Sequence, residues 1–324
     1  MSFGALVQVI NQGMKIRQLQ YFVGIVEAGS ISRAAQALHV AQPALSLQMN
    51  RLEEEVGVKL LDRGAHGATP TEAGAAVYRH AKQVLRQFEG TAAVAAQANS
   101  GPSGPVVVGL PWTVASIIGL DLLRRVLAEY PAVQLQIIEG TSTLLGGAAE
   151  QGRLDMAIVF DNSANAALAL KPLAAEPLWL LGARGTLAGR RQLDLAQAAE
   201  FPLLLLGRPN GVREQLEKAW SEIGVKPNIR AEINSPGLLL EAISEGMGYS
   251  ILPSASLPGK GSRLKLDRVA LEGGKLMRTA YLAIPRQFIT TSAMECVADI
   301  IVSCVQKSVR DGRWKAELFD SMIG

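Results

Sequence analysis

The sequence predicts a mainly α N-terminal domain, a long linker helix and a two-lobed α/β C-terminal half. Three observations predict it. Residues 17–56 carry three successive stretches of helical apolar spacing separated by very short breaks. From Thr71 to about Gln97, small and apolar residues recur in steps of three and four. Beyond the run "NSGPSGP", residues 99–105, apolar strand-like segments alternate with helical ones, and the alternation occurs twice. A chain of 324 residues with 48% hydrophobic and 19% charged residues has ample material for packed domains of this kind, without help from metals or disulfides.

In the first helix, Leu19, Phe22, Val23 and Val26 recur on one face from Arg17 onward, and Gly29 stands where a C-terminal glycine ends a helix. Ser30 is the expected cap of a short second helix through Ile31, Ala34, Ala35 and Leu38. His39 and Val40 leave room only for a tight turn. A third helix follows from about Gln42 to Val56, with Leu45, Met49, Leu52 and Val56 on one stripe. Its other face carries Gln42, Ser46 and Asn50, and Pro43 is tolerated in a first helical turn. Small Ala34 and Ala35 let two helices approach before the short turn, which is the sequence form of a helix-turn-helix.

Next, Leu60 to Asp62 and Ala68 to Pro70 flank a turn containing Gly64 and Gly67. A hairpin in that position is a wing, and Arg63 at its base is placed for a phosphate contact. Thr71 then caps the long helix, in which Gly74, Val77, Ala81, Val84 and Phe88 form a seam of the kind that pairs with another helix.

After the linker come "VVVGL", a helix from about Ala115 to Tyr130, "VQLQIIE", a helix around Leu144 to Gln151, and "DMAIVF". The pattern resumes after Pro202 with "LLLL", a helix from about Val212 to Ile223, "NIRAEI", a helix from about Gly237 to Gly246, and "YSIL". Such alternation predicts a mainly parallel sheet covered on both faces, built as two lobes. "MRTAYLAI", residues 277–284, and a last helix from about Thr290 to Gln306 return the chain to the first lobe.

Composition excludes several classes of function. Cys296 and Cys304 have a spacing that suits neither a local zinc site nor a redox pair, so both read as packing residues. No metal and no cofactor is expected. The histidines, His39, His66 and His80, all fall in the N-terminal region, so the lobes have none for acid and base work. No nucleophile motif, P-loop or metal-ligand cluster appears, which argues against an enzyme. There is no apolar run of spanning length, and "MSFGALVQVINQG" lacks the positive start of a secretory signal, so a cytoplasmic protein with no membrane partner is expected. Residues 1–13 read as an extension or cloning scar ahead of a natural start at Met14. A net charge of +3 is too small to argue for nucleic acid by itself. Distribution says more: from Met14 to Gly90, nine Lys and Arg stand against seven Asp and Glu, with three of the acids clustered at 53–55.

At this point the chain resembles the LysR-type transcriptional regulators. The resemblance rests on "LQYFVGIVEAGSISRAAQALHVAQPALSLQMNRLEEEVGVKLLDR" followed by "TPTEAG", and extends from Met14 to about residue 308. "GLPWTVAS", "GRLDMAIVFD" and "GRPNGVREQLE" look most like the branch containing the nitrogen assimilation control regulator. The resemblance implies a winged helix-turn-helix at residues 14–70, a linker and dimerisation helix at 71–98 and a hinge at 99–105. It further implies a periplasmic-binding-protein-like effector domain, with lobe I at 106–162 and 277–308, lobe II at 163–276, and a tail at 309–324.

The helix from Gln42 resembles the family's recognition helix, which implies Gln42 and Ser46 as base-edge readers and Pro43 against a thymine methyl or sugar edge. Each good base contact discriminates by about 1–3 kcal/mol. Arg33, Arg51 and Arg63 would position the domain on phosphates. Ala41 departs from the pattern, since many relatives have a capping serine there, and losing such a cap costs around 1 kcal/mol.

The resemblance also implies an effector site between the lobes. Trp112, Thr113, Thr141 and Ser142 stand at the ends of the first two strands, where hydroxyls and helix-start N–H groups suit a carboxylate or other anion. Phe160 and Asp161 would lie at the lobe crossover, with Arg208, Asn210 and Ser235 facing from lobe II. Plainer roles are equally chemical: Thr141 and Asn210 as helix caps, and Trp112 as a core or dimer residue.

The expected partners are double-stranded promoter DNA, a second copy in a homodimer or homotetramer, a small effector and RNA polymerase, in the bacterial cytoplasm at the nucleoid. One alternative is an effector-independent dimeric regulator controlled by its expression level. Another, of a different class, is a two-lobed solute-binding protein or enzyme.

Overall fold

The computed structural model describes residues 14–64, 67–82, 84, 85, 88, 101–160, 166–257, 259, 262–271, 276–286 and 290–319. The chain divides into two compact units, Met1–Gly101 and Pro102–Gly324. No helix among the described residues is long and apolar enough to cross a membrane.

The N-terminal unit opens with α1 (Ile16–Ala28), ended by Gly29 in the left-handed region at φ 63°. Helix α2 (Ile31–Ala37) starts from Ser30, whose side chain makes no capping bond, contrary to expectation. The backbone alone begins this helix, with the Ala34 N–H donating to the Ser30 carbonyl at 3.0 Å. His39 makes the tight turn at φ 53°. Helix α3 (Gln42–Val56) buries Leu45, Met49 and Leu52 completely. Val56, expected on the same stripe, is 37% exposed because Gly57 ends the helix there in the left-handed region and the core lies one turn earlier.

The wing pairs β1 (Leu61–Gly64) with β2 (Gly67–Pro70) in antiparallel register. Helix α4 (residues 72–82) follows. Thr71 caps it as expected: its hydroxyl accepts the Gly74 N–H at 2.9 Å and donates to the Lys59 carbonyl at 2.8 Å. A Cβ on Gly74 would fall 1.9 Å from the Leu60 carbonyl oxygen, so only glycine lets α4 lie against the wing. Gly74, Ala81 and Leu85 are buried, and Val77 and Val84 pack on the same N-terminal core. The early seam is therefore used inside its own domain, whereas Phe88 is exposed. Residues 89–100, for which the rest of the linker helix and the start of the hinge were expected, lie outside the described residues.

In the C-terminal unit, β3 (Gly104–Pro111) leads into α5 (Trp112–Glu129), β4 (Val133–Gly140), α6 (Ser142–Glu150) and β5 (Met156–Phe160). β3 lies between β4 and β5, parallel to both. The next strand, β6 (Leu168–Ala183), is 16 residues long. Then come β7 (Gln192–Leu193), α7 (Leu195–Glu200), β8 (Leu203–Leu205), α8 (Gly211–Glu222), β9 (Ile229–Glu232), α9 (Pro236–Ser244), β10 (Ser250–Pro253) and β11 (Leu266–Leu271). The chain closes with β12 (Met277–Pro285), α10 (Ser292–Arg310) and β13 (Glu317–Leu318).

The sheet is mixed and curled, not mainly parallel. β12 is antiparallel to β5 and to the first part of β6, while β10 and β11 run antiparallel to the second part of β6. One strand thus passes through both lobes. Its sequence, "LALKPLAAEPLWLLGA", carries two prolines, which argue against a central strand. They fall where pairing changes: Pro172 at a register shift against β12, and Pro177 at the point where β12 hands over to β10.

Lobe I packs α5 and α10 on the sheet through Val108, Leu110, Ile118, Leu122, Ile158, Val297 and Ile301. Lobe II is centred on Leu180, Leu216, Trp220 and Ile251. Helix α10 runs past the expected end at Gln306, after which Trp314 is fully buried and β13 pairs with β6. Cys304 is buried in the lobe I core and Cys296 is half-buried; both are free.

Candidate nucleic-acid interface and ligand cavity

In the N-terminal unit the first turn of α3 stands away from the core that its later residues join. Gln42, Pro43 and Ala44 are exposed, and Ser46 is half-buried. Ala41 precedes the helix with no side-chain cap, and the Gln42 amide donates instead to Ser46 Oγ at 3.2 Å. The two expected base readers therefore already share a face and a hydrogen bond.

Arg33 on α2 and Arg51 on α3 are exposed. Arg63 is tied down: its guanidinium lies 3.0 Å from Glu53 Oε2. The other oxygen of Glu53 accepts the backbone N–H groups of Leu60 and Leu61 at 2.8 and 3.1 Å. Glu53 thus fastens the base of the wing to α3. Sequence reading noted Glu53 as one of three clustered acids but missed this role, because the link depends on the hairpin folding back ten residues later.

The C-terminal unit holds a cavity of about 960 Å³ between its lobes. Of the residues expected there, Trp112, Thr113, Thr141, Ser142, Phe160, Arg208 and Asn210 line it. Ser235 does not; it caps α9 by accepting the Leu238 N–H at 3.4 Å, while its neighbours Asn234 and Pro236 reach the wall. Asp161 lies outside the described residues.

The plainer roles coexist with the lining. Thr141 caps α6 through the Leu144 N–H, and Asn210 caps α8 through the Arg213 N–H. Ser142 accepts the Phe160 N–H at 2.7 Å, fixing the end of β5 to the start of α6. Trp112 and Thr113 were expected ahead of their helix but form its first turn, because α5 begins directly after Pro111.

Behind the cavity sits a network that the sequence did not suggest. Glu176 on β6 is fully buried, and its Oε1 accepts from Nε and Nη2 of Arg278 at 2.8 and 2.7 Å. Its Oε2 accepts from Ser254 Oγ, the Ala255 N–H and Trp314 Nε1, at 2.7, 2.7 and 3.0 Å. Arg278 faces Glu176 across the β6–β12 ladder, donates to Thr113 Oγ1 at 3.1 Å and stacks 3.5 Å from the centre of the Phe160 ring. The arginine lines the cavity, so a buried charge pair forms part of its wall.

At the rim, Arg208 and Arg213 both bond Glu217. Burial raises the Glu217 carboxyl, but the hydrogen bonds and charges of Arg213 and Arg208 outweigh it and hold the group below the usual carboxylate value of 4.5.

Comparison with known proteins agrees with this layout. Residues 16–75 match the family model of the bacterial regulatory helix-turn-helix proteins of the lysR family, and residues 99–304 match that of the LysR substrate binding domain. The chain is 38% identical over 244 residues to the nitrogen assimilation regulatory protein nac of Klebsiella aerogenes, covering 75% of this chain and 79% of that one. It is 31% identical to the protein of that name in Escherichia coli K12, covering 93% and 98% of the two chains.

Among solved structures, full-length OxyR from Pseudomonas aeruginosa shares the fold with a TM-score of 0.71 at 23% identity, covering 90% of this chain and 95% of that one. Full-length CbnR, crystallised with its target DNA, does so with a TM-score of 0.62 at 23% identity over 91% of this chain and all of that one. The curated relatives are named as regulators, not as enzymes. With a DNA-reading helix-turn-helix at one end and an effector-binding domain at the other, the chain belongs to the LysR family of DNA-binding transcriptional regulators.

Proposed function

We propose that this regulator reads promoter DNA through α3, with Gln42 and Ser46 at base edges, Pro43 against a thymine methyl or sugar, and Arg33, Arg51 and Arg63 on phosphates. The observation that supports it most is the projecting first turn of α3, exposed at Gln42, Pro43 and Ala44 while Leu45, Met49 and Leu52 anchor the helix from its opposite face. An amide and a hydroxyl one helical turn apart present paired donors and acceptors to a major-groove edge. Arg63 exchanges its Glu53 partner for a phosphate when DNA arrives.

The working unit is a homodimer or homotetramer acting with RNA polymerase in the bacterial cytoplasm. Exposed Leu120, Leu123 and Leu127 on α5, with Ile138 on the neighbouring edge strand β4, supply an apolar stripe for a second copy. The domain plan is the one set out from the sequence: winged helix-turn-helix, linker and dimerisation helix, hinge, and two lobes of periplasmic-binding-protein type. The interlobe cavity takes a small effector, and lobe closure around it changes how the oligomer holds DNA.

The experiment is selection of bound fragments from a random DNA pool at fixed moderate salt, using wild type and a Gln42→Ala, Ser46→Ala double variant. The wild type should enrich one interrupted palindrome, and the double variant should bind with no sequence preference. Equal preference in both would remove α3 as the reader. In parallel, Arg63→Ala should lower the slope of log affinity against log salt by about 1, with sequence preference unchanged.

A further inference from the structure

The charges around the interlobe cavity do not form the wall that a simple anion needs. Three cations line it, and each has an acidic partner: Arg278 with Glu176 at 2.7 Å, Arg208 with Glu217, and Lys218 with Glu222 at 4.0 Å. Two acids line it as well, Glu139 and Glu214, and among the described residues neither is paired with a cation. Glu214 lies in the first turn of α8.

The adjacent residue adds to this side. The Gln215 side-chain nitrogen donates to the Met277 carbonyl at 2.8 Å, which fixes the amide orientation, since the flipped amide would set two acceptors together. Its oxygen is buried and accepts no hydrogen bond among the described residues. The α8 wall therefore carries one unpaired carboxylate, Glu214, beside a lysine, Lys218, whose charge is shared with Glu222.

The opposite wall has the reverse need. Helix α5 starts at Pro111 with no side-chain cap, and Pro111, Trp112 and Thr113 all line the cavity. An 18-residue helix thus points an uncapped N-terminus into the space, beside the guanidinium of Arg278.

Resting on the effector reading above, we infer that the ligand is a small zwitterion of the α-amino-acid class. Its carboxylate lies at the start of α5 near Arg278, and its ammonium faces Glu214 and Gln215. The Glu176 pair makes the interior cation nearly neutral toward a distant charge, so an anion without its own ammonium gains little against the two rim acids.

The test is calorimetric titration of the full-length protein with the common L-α-amino acids, each run beside its deaminated acid and its decarboxylated amine. At least one amino acid should bind, with both analogues weaker by roughly tenfold or more. Glu214→Gln should weaken that amino acid about fivefold and leave the deaminated acid bound no more weakly than before. A deaminated acid that binds as tightly as its parent, or a Glu214→Gln effect equal on both, would overturn the zwitterion and leave the effector cavity standing. If no compound in any of the three sets binds, the effector reading falls together with the inference.

Discussion

Each unit of this regulator is organised around one glutamate, and the surroundings of the two differ. Glu53 gathers two backbone N–H groups and Arg63 at the foot of the wing, where its side chain keeps 13% of its exposure. Glu176 gathers Arg278, Ser254, Ala255 and Trp314 with no exposure at all. Near water, an ion pair contributes about 0–1 kcal/mol and can be exchanged for a phosphate. In the interior, the same chemistry is expensive to break and is committed to one geometry. The difference teaches where the molecule has freedom: the wing arginine is released easily, and the cavity-facing one is held.

The largest effect follows from breaking the buried member. Glu176→Gln removes one buried charge from the Arg278 pair and sets an amide against three donors, which should cost about 3–5 kcal/mol. For a unit of this size that lowers the melting temperature by roughly 10 °C. Replacing both Glu176 and Arg278 by Met should recover only part of the loss, because two desolvated charges disappear together while the Ala255 N–H and Trp314 Nε1 lose their acceptor. Thermal unfolding of the three proteins decides it. A single variant within about 1 kcal/mol of wild type would show that the network relaxes freely.

Gly74→Ala sharpens the other side of the comparison. A methyl group 1.9 Å from the Leu60 carbonyl forces α4 off the base of the wing, close to the backbone that Glu53 holds. The expected loss is about 2–3 kcal/mol, with DNA affinity falling alongside it. If affinity survives while stability drops, the wing position is not set by α4.

Glu53→Gln should cost less, about 1–2 kcal/mol, because the amide oxygen can still accept one N–H and water replaces the rest. Its informative readout is the salt dependence of DNA binding. Freed of its partner, Arg63 should bind phosphate without first breaking an ion pair, so affinity per folded molecule should hold or rise. A fall in affinity at full folding would mean that Glu53 orients Arg63 instead of restraining it.

How much of this was legible in the sequence follows from the range of each interaction. The N-terminal helices, the wing and the Thr71 cap are local, and apolar spacing with Gly29 and Gly57 at the helix ends marks them. β6 was not legible, because prolines argue against a central strand, and the tolerance of Pro172 and Pro177 depends on a register shift and a change of partner strand. The cavity wall was legible where it coincides with strand ends and helix starts, as at Trp112, Thr141 and Asn210. Arg278 and Glu176 were not, because a charged pair in an apolar strand pattern looks like two surface residues until the strands are aligned. Trp314 lies past the last recognisable helix, and only its burial against Glu176 gives the tail a role.

Acid should distinguish the rim pairs from the buried one. Glu217, held below 4.5 by Arg213 and Arg208 despite its burial, adds stability that is present above the unfolded carboxylate range and lost as pH falls through its lower folded value. Stability should therefore decline on acidification below about pH 4.5, and Glu217→Gln should flatten part of that decline. An unchanged slope in urea unfolding across this range would mean that the Arg208 and Arg213 pairs contribute nothing in solution.

The smallest expected effect concerns His39, the one non-glycine residue with positive φ among those described, in the turn between α2 and α3. An L side chain in the left-handed region costs about 1 kcal/mol, and glycine removes that strain while adding freedom to the unfolded chain. The two nearly cancel, so His39→Gly should stabilise by no more than about 0.5 kcal/mol. The turn geometry itself is enforced by the Val40 N–H donating to the Ala35 carbonyl at 3.0 Å, which the substitution leaves intact. DNA sequence preference should therefore stay as in wild type, since α3 keeps its angle. A loss of preference at unchanged stability would show that the exposed imidazole contacts DNA, and would extend the reading surface from α3 back into the turn that precedes it.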